Sequence, residues 1–189
     1  MPTLQIIIAS TRPGRVGLPV ARWFVGEAEQ HGAFDLDVVD LAELGLPFLD
    51  EPKHPRLQEY EHAHTKRWSA RVAAADAFVY VMPEYNFGIN APLKNAIDFL
   101  HREWAYKPLG LVTYGGVSAG TRAGQMVRQI AIGVRLTPVF ESVHIPFVAQ
   151  FLDDARVIQP NDVMRQAAPA MLDELVKVEA ALRPLRETA

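Results

Sequence analysis

Hydrophobic residues fall in short dense runs along this chain, and the runs alternate with stretches whose apolar positions recur every three or four residues. Leu4 to Ala9, Ala77 to Met82 and Leu109 to Thr113 are nearly continuous apolar segments. Runs of this kind, bounded by turn residues, suit strands buried on both faces, as in a parallel sheet covered by helices on each side. Phe34 to Leu41 predicts a second strand and Leu136 to Ile145 a last one. Pro138 in that last run favours an edge or a strand end, because proline cannot donate to a neighbouring strand.

Helical patterns lie between the runs. Val16, Val20, Phe24 and Ala28 recur every four residues, and His31-Gly32 supplies a C-terminal stop. Leu57 to Ala75 predicts a helix with Leu57, Glu61, His64, Trp68 and Val72 on one partly apolar row. Pro92 to Leu100 predicts another, with Asn90 near its N-cap, Pro92 in its first turn and Lys94 and Asp98 as an i,i+4 pair. Gly120 to Val134 follows, and Asp162 to Leu182 carries the stripe Met164, Ala168, Met171, Leu172, Leu175 and Val178. Regular β–α alternation with right-handed crossovers predicts an α/β protein, a doubly wound five-stranded parallel sheet of order 2-1-3-4-5 with helices on both faces. No repeat, low-complexity tract or linker divides the chain, and Asp50 to Pro55 is only a polar loop, so residues 1–189 read as a single domain.

Composition narrows the possibilities. With 19 Lys and Arg against 22 Asp and Glu, the net charge of −3 has the wrong sign for neutralising nucleic-acid phosphates. Hydrophobic residues at 49% and charged residues at 22% are ordinary globular usage and promise a real core. The absence of cysteine excludes disulfides, thiolate nucleophiles and cysteine-held metals. The N-terminal run has no basic segment before it and no small-residue cleavage site after it. No apolar stretch approaches the roughly 20 residues needed to cross a bilayer. The expectation is a cytoplasmic protein with neither membrane nor nucleic-acid partner.

In an open α/β sheet, ligands bind beyond the carboxyl ends of the strands, near the point where strand order reverses. Three loops therefore matter. Ser10-Thr11-Arg12-Pro13-Gly14-Arg15-Val16-Gly17 brings two hydroxyls, two guanidinium groups and two glycines to a helix N-terminus. That suits an anion held by backbone amides and arginine forks, where a solvated polar turn is the plainer alternative. The loop lacks Gly-Lys-Ser/Thr and the spaced glycines of a dinucleotide fingerprint, so a phosphomonoester fits better than a pyrophosphate. Met82-Pro83-Glu84-Tyr85-Asn86-Phe87-Gly88-Ile89-Asn90 sets aromatic faces beside main-chain donors, suitable for a planar heterocycle, unless those aromatics pack into the core or a partner subunit. Tyr114-Gly115-Gly116-Val117-Ser118-Ala119-Gly120 allows close backbone approach to a flat ligand, with Ser118 a candidate helix cap.

Ser10-Thr11-Arg12, then Pro83-Glu84-Tyr85-Asn86 followed by Pro92-Leu93-Lys94-Asn95-Ala96-Ile97-Asp98, and Tyr114-Gly115-Gly116 together resemble the NADPH-dependent FMN reductases. These are flavodoxin-like enzymes with quinone, azo-dye and chromate reductase relatives, and the likeness runs from Leu4 to about Ile145. It implies FMN as cofactor and NADPH or NADH as co-substrate. It also implies Ser10, Arg12, Val16 and Gly17 at the phosphate, Pro83, Glu84, Tyr85 and Asn86 at the ring, and Gly115, Gly116 and Ser118 across from it. Thr11 and Arg15 join the phosphate set from the chemistry of the loop. Many members carry serine where this chain has Arg15, and Arg12 is the first choice for the phosphate.

The implied reaction moves hydride from the nicotinamide to FMN, then two electrons to a quinone-like or other small acceptor, with no side-chain acid or base required. The alternative is a flavodoxin-type electron carrier that docks redox partners, which the weak net charge disfavours. A flavin-free phosphate-ester enzyme fails for want of a nucleophile. His62 and His64, about 200° apart on a continuous helix, would not share a metal, Asp98 with His101 reads as a surface pairing, and no metal site is expected. The C-terminal stripe and the aromatics near Phe48 and Trp68 suggest surplus apolar surface, hence a homodimer or homotetramer with FMN near the boundary.

Overall fold

The computed structural model describes residues 1–187. Five strands, β1 (Thr3–Ile8), β2 (Asp35–Asp40), β3 (Ala77–Pro83), β4 (Pro108–Tyr114) and β5 (Thr137–Ile145), form one parallel sheet in the order β2-β1-β3-β4-β5. The helices are α1 (Gly17–His31), a short α2 (Leu41–Leu44), α3 (Ala63–Ala73), α4 (Ala91–Asp98), α5 (Thr121–Gly133) and α6 (Asp162–Glu187). This is the architecture that the alternating pattern predicts.

The sheet divides two cores. Leu4, Ile6 and Ile8 point toward α1 and α6, where Val20, Phe24, Met171 and Leu175 are fully buried. Ile7 and Ala9 point the other way, toward Trp68, Leu93, Ile97 and Val127 from α3, α4 and α5. Every residue of β3 and β4 is buried, because each strand has neighbours on both sides and helices on both faces. Gly32 ends α1 in the left-handed conformation at φ 71°, its N–H donating to Ala28. Pro138 sits in the edge strand β5, where a missing donor is tolerated.

Five expectations need correction. The helix read from Leu57 begins instead at Ala63, because Pro55–Leu57 forms a single 3₁₀ turn and Gln58 turns left-handed at φ 55°. The Glu51 carboxylate accepts from the N–H groups of Glu61 and His62 and holds the chain extended until α3 starts. His62 therefore precedes the helix, and its ring stacks on His64 at 5.2 Å instead of pointing away. Trp68 is not surface surplus: it is fully buried, donates to Ala96 O and meets Trp104 edge-on. Asp98 pairs with Lys94 and not with His101. The α6 stripe residues Met164, Ala168, Met171, Leu172 and Leu175 are likewise covered within the chain, which removes two of the reasons for expecting an oligomer.

Candidate functional site

The turns following β1, β3 and β4 all leave the same end of the sheet, and each touches another. The Ser10 hydroxyl, buried, lies 3.1 Å from Tyr85 Oη, joining the first turn to the second. The Glu84 carboxylate accepts from Ser118 Oγ at 2.8 Å, from Arg122 Nη1 at 2.9 Å and from the Arg122 N–H at 3.1 Å, joining the second turn to the third. Ser118 therefore does not cap α5; Gly120 holds that position with no side-chain cap. Burial raises the Glu84 carboxyl's proton affinity, but these donors outweigh it and hold its pKa below the ordinary value.

In the first turn, Arg12 O accepts from Arg15 N–H, and Gly14 turns left-handed at φ 70°. Arg15 is an internal strut: one nitrogen donates to Ser10 O at 2.6 Å and to Asp40 Oδ1 at 2.7 Å, the other to Asp40 Oδ2. Thr11 and Arg12 are exposed, and Arg12 makes no ion pair with the described residues. Behind them α1 starts without a side-chain cap and without an acid in its first turn, so its leading amides are available to an anion. A Cβ on Gly17 would stand 2.4 Å from Tyr114 Oη, so only glycine lets the helix start press onto β4. Tyr114 Oη is buried without a well-formed hydrogen-bond partner, and burial keeps it protonated.

In the second turn, Tyr85 and Gly88 exchange two backbone hydrogen bonds around Asn86 (φ 49°) and Phe87 (φ 69°). Left-handed Phe87 is a strained placement; it exposes the ring, over which Arg122 sits at 4.2 Å. Asn90 is at the N-terminus of α4 as expected, but its amide donates 2.7 Å to Ala9 O and so ties α4 to the end of β1. In the third turn, Gly115 and Gly116 carry no side chain between Glu84 and Phe147, whose N–H binds Gly116 O.

All thirteen site candidates, Ser10 to Gly17 in the first turn, Pro83 to Asn86 in the second and Gly115 to Ser118 in the third, thus lie at one end of the sheet. They fit a phosphate tail and a planar ring: an acid-free helix start, a glycine-lined turn and, among the described residues, an arginine without an ion pair and a buried hydroxyl without a well-formed partner. Sequence reasoning misses Asp40 and Arg122, and it names Tyr114 and Asn90 only as a loop residue and a helix cap. Asp40 was findable, as the last residue of the strand beside the first one. Two cavities flank Thr11: one of about 480 Å³ lies under Leu46 and Phe48, and one of about 710 Å³ lies toward Arg22. Among the described residues no three potential ligands cluster to hold a metal. No helix among them is long and apolar enough to cross a membrane.

A 2-1-3-4-5 parallel sheet whose strand-end turns form such a cradle is a flavodoxin-like protein. The match at sequence level is sharper. Residues 2–150 match the family model described as NADPH-dependent FMN reductase, and the chain belongs to that family of oxidoreductases. It is 37% identical over 149 residues to an NAD(P)H-dependent FMN reductase of Schizosaccharomyces pombe, covering 77% of this chain and 74% of that one. A segment of 65 residues is 40% identical to an NADPH:quinone oxidoreductase of Arabidopsis thaliana, a third of each chain. Among solved structures, the flavoenzyme NAD(P)H:(acceptor) oxidoreductase FerB of Paracoccus denitrificans superposes with a TM-score of 0.76 at 20% identity. That superposition covers 94% of this chain and 98% of FerB.

Proposed function

We propose that the chain is an FMN-dependent NAD(P)H oxidoreductase that delivers two electrons to a quinone-like or similar small acceptor. The observation that carries this reading is the Ser10–Tyr85 and Glu84–Ser118 linkage, which welds three turns into one cradle at the switch point of the sheet. FMN, when bound, supplies the hydride-accepting chemistry. The protein's part is to bind and orient. The Arg12 guanidinium, the Ser10 and Thr11 hydroxyls and the amides of Val16 and Gly17 hold the phosphate, while Arg15 keeps that turn in shape from below. Pro83, Glu84, Tyr85 and Asn86 line one border of the ring, and Gly115, Gly116 and Ser118 the other. Backbone N–H groups there favour the negative charge that builds up on reduction. No side chain is assigned an acid or base role.

Phe48, Phe87, Val117 and Phe147 stand exposed around this end of the molecule. They support a homodimer, or a pair of dimers, that covers the cradle's rim; light scattering giving only the 21.0 kDa species would end that part of the proposal. The central test is a visible spectrum of the purified protein before and after adding FMN, then NADPH under argon. Stoichiometric uptake followed by rapid bleaching is expected. A folded protein that takes up no FMN, or whose bound FMN NADPH does not reduce, overturns the reading.

A further inference from the structure

The cavity of about 710 Å³ beside the first turn is larger than a phosphate needs, and its walls are one-sided in charge. Arg12, Arg15, Arg22 and Arg156 line it, and no carboxylate does. Arg15 is neutralised by Asp40. Arg12 and Arg22 are exposed and make no ion pair with the described residues. Arg156 Nη2 donates only to the carbonyls of Gly14 and Arg15, at 3.2 and 3.3 Å, so its charge is uncompensated. A backbone turn holds it there: Arg156 is left-handed at φ 61°, and the Asp153 side chain binds Val157 N–H and Gln159 across the turn.

Once Arg12 is assigned to the cofactor's phosphate, Arg22 and Arg156 remain without a partner charge among the described residues. Arg22 is five residues past Gly17, roughly 7.5 Å further along the helix axis at 1.5 Å per residue, more than a full turn behind the leading amides. Beside it the half-buried Trp23 forms part of the wall, its indole held by a 2.9 Å bond to Glu27. A flat aromatic face next to forked cations, in a cavity of ordinary ligand size, suits a purine carrying an extra phosphate. NADPH is longer than FMN: two riboses and a diphosphate separate its nicotinamide from its adenine. Laid with its nicotinamide on the ring and the rest along the cofactor's tail, it would bring its adenosine end toward this cavity, whose wall includes the first turn.

We propose that the Trp23-walled basic cavity is the site for the adenosine 2′-phosphate end of NADPH, with Arg22 and Arg156 on the phosphate and Trp23 against the purine. The proposal rests on the FMN oxidoreductase reading and adds to it the residues that distinguish NADPH from NADH.

The test titrates FMN-loaded protein with adenosine 2′,5′-bisphosphate and with 5′-AMP, by calorimetry and tryptophan emission. Trp68 and Trp104 are fully buried, so the emission change reports Trp23. The bisphosphate should bind at least tenfold more tightly than 5′-AMP and should alter the emission. Arg22→Ala and Arg156→Ala should each lower bisphosphate affinity five- to fiftyfold, and the NADPH:NADH ratio of kcat/KM at least tenfold. If Arg156→Ala also loosens FMN by disturbing the turn, Arg22→Ala decides alone. Equal binding of the two nucleotides, or an unchanged preference in Arg22→Ala, overturns the assignment while FMN binding stands. Failure to take up FMN brings down both readings.

Discussion

Arg15 and Asp40 form a two-pronged pair that fastens the turn after β1 to the last residue of β2. The side chains are only 15% and 9% exposed, so neither charge is well solvated once the other is gone. Asp40→Asn keeps an oxygen for the Ala42 N–H it now caps, but leaves Arg15 without a counter-ion. The expected loss is about 3 kcal/mol, typical of breaking a mostly buried pair. It should appear as a lower urea midpoint at unchanged slope, with weaker FMN binding beside it. A change below about 0.5 kcal/mol would put this pair in the class of exposed ones and would remove Arg15 as the strut of the turn.

Gly17 and Tyr114 make a second relationship open to a two-step test. Gly17→Ala brings a methyl 2.4 Å from the tyrosine oxygen, an overlap that should cost about 1 to 3 kcal/mol and loosen FMN. Tyr114→Phe deletes that oxygen, which has no well-formed partner in the fold. The double variant should recover most of the melting temperature lost by Gly17→Ala alone. Additive losses would show that the clash is not the cause.

Arg12→Ala removes one charge-assisted contact to the phosphate. A loss of about 1.5 to 3 kcal/mol corresponds to a roughly ten- to hundredfold rise in FMN Kd. Thermal stability of the FMN-free protein should not move, because Arg12 is exposed and pairs with nothing described. Quenching titrations of FMN fluorescence give the number directly, and wild-type affinity in the variant would reassign the phosphate.

Lys107, at the other end of the sheet, gives an unusual pH dependence. Burial, and next the positive charge of Arg186, lowers its pKa from 10.5 to about 8. Between those values the unfolded chain holds more protons than the folded one, so stability rises with pH across that window. The gain should reach roughly 2 to 3 kcal/mol by pH 10, at 1.36 kcal/mol per unit. Above pH 10 the trend reverses, since the buried Tyr80 and Tyr114 hydroxyls stay protonated in the fold and ionise when unfolded. Lys107→Met, which loses the bonds to Val72 O and Ala73 O, should flatten the rise in urea midpoint from pH 8 to 10. A rise of equal size in the variant would locate the effect elsewhere.

The sheet and its order could be read in advance because β1, β3 and β4 are buried on both faces, and such strands announce themselves as unbroken apolar runs. The helix at Leu57 could not, because Leu57, Glu61, His64 and Trp68 repeat at three- and four-residue spacing whether or not the backbone is helical. There Gln58 and the Glu51 carboxylate decide the path. Trp68 looked like surface for the same reason: its row was only partly apolar, and the indole N–H reaches Ala96 O through the fold. Ser118 sat where a cap would sit, yet its hydroxyl went to Glu84, 34 positions away.

Periodicity and turn chemistry set the element order, the sheet topology and the three strand-end turns that carry the chemistry, because each depends on neighbours a few residues apart. They could not say which of the two arginines in the first turn is free. Arg15 is spent on Asp40 25 positions later, and Arg156 reaches Gly14 from 142 positions away. Partnerships over such separations leave no spacing in the chain to be read. They exist only once right-handed crossovers have brought the ends of β1 and β2, and the loop before α6, to the same end of the sheet.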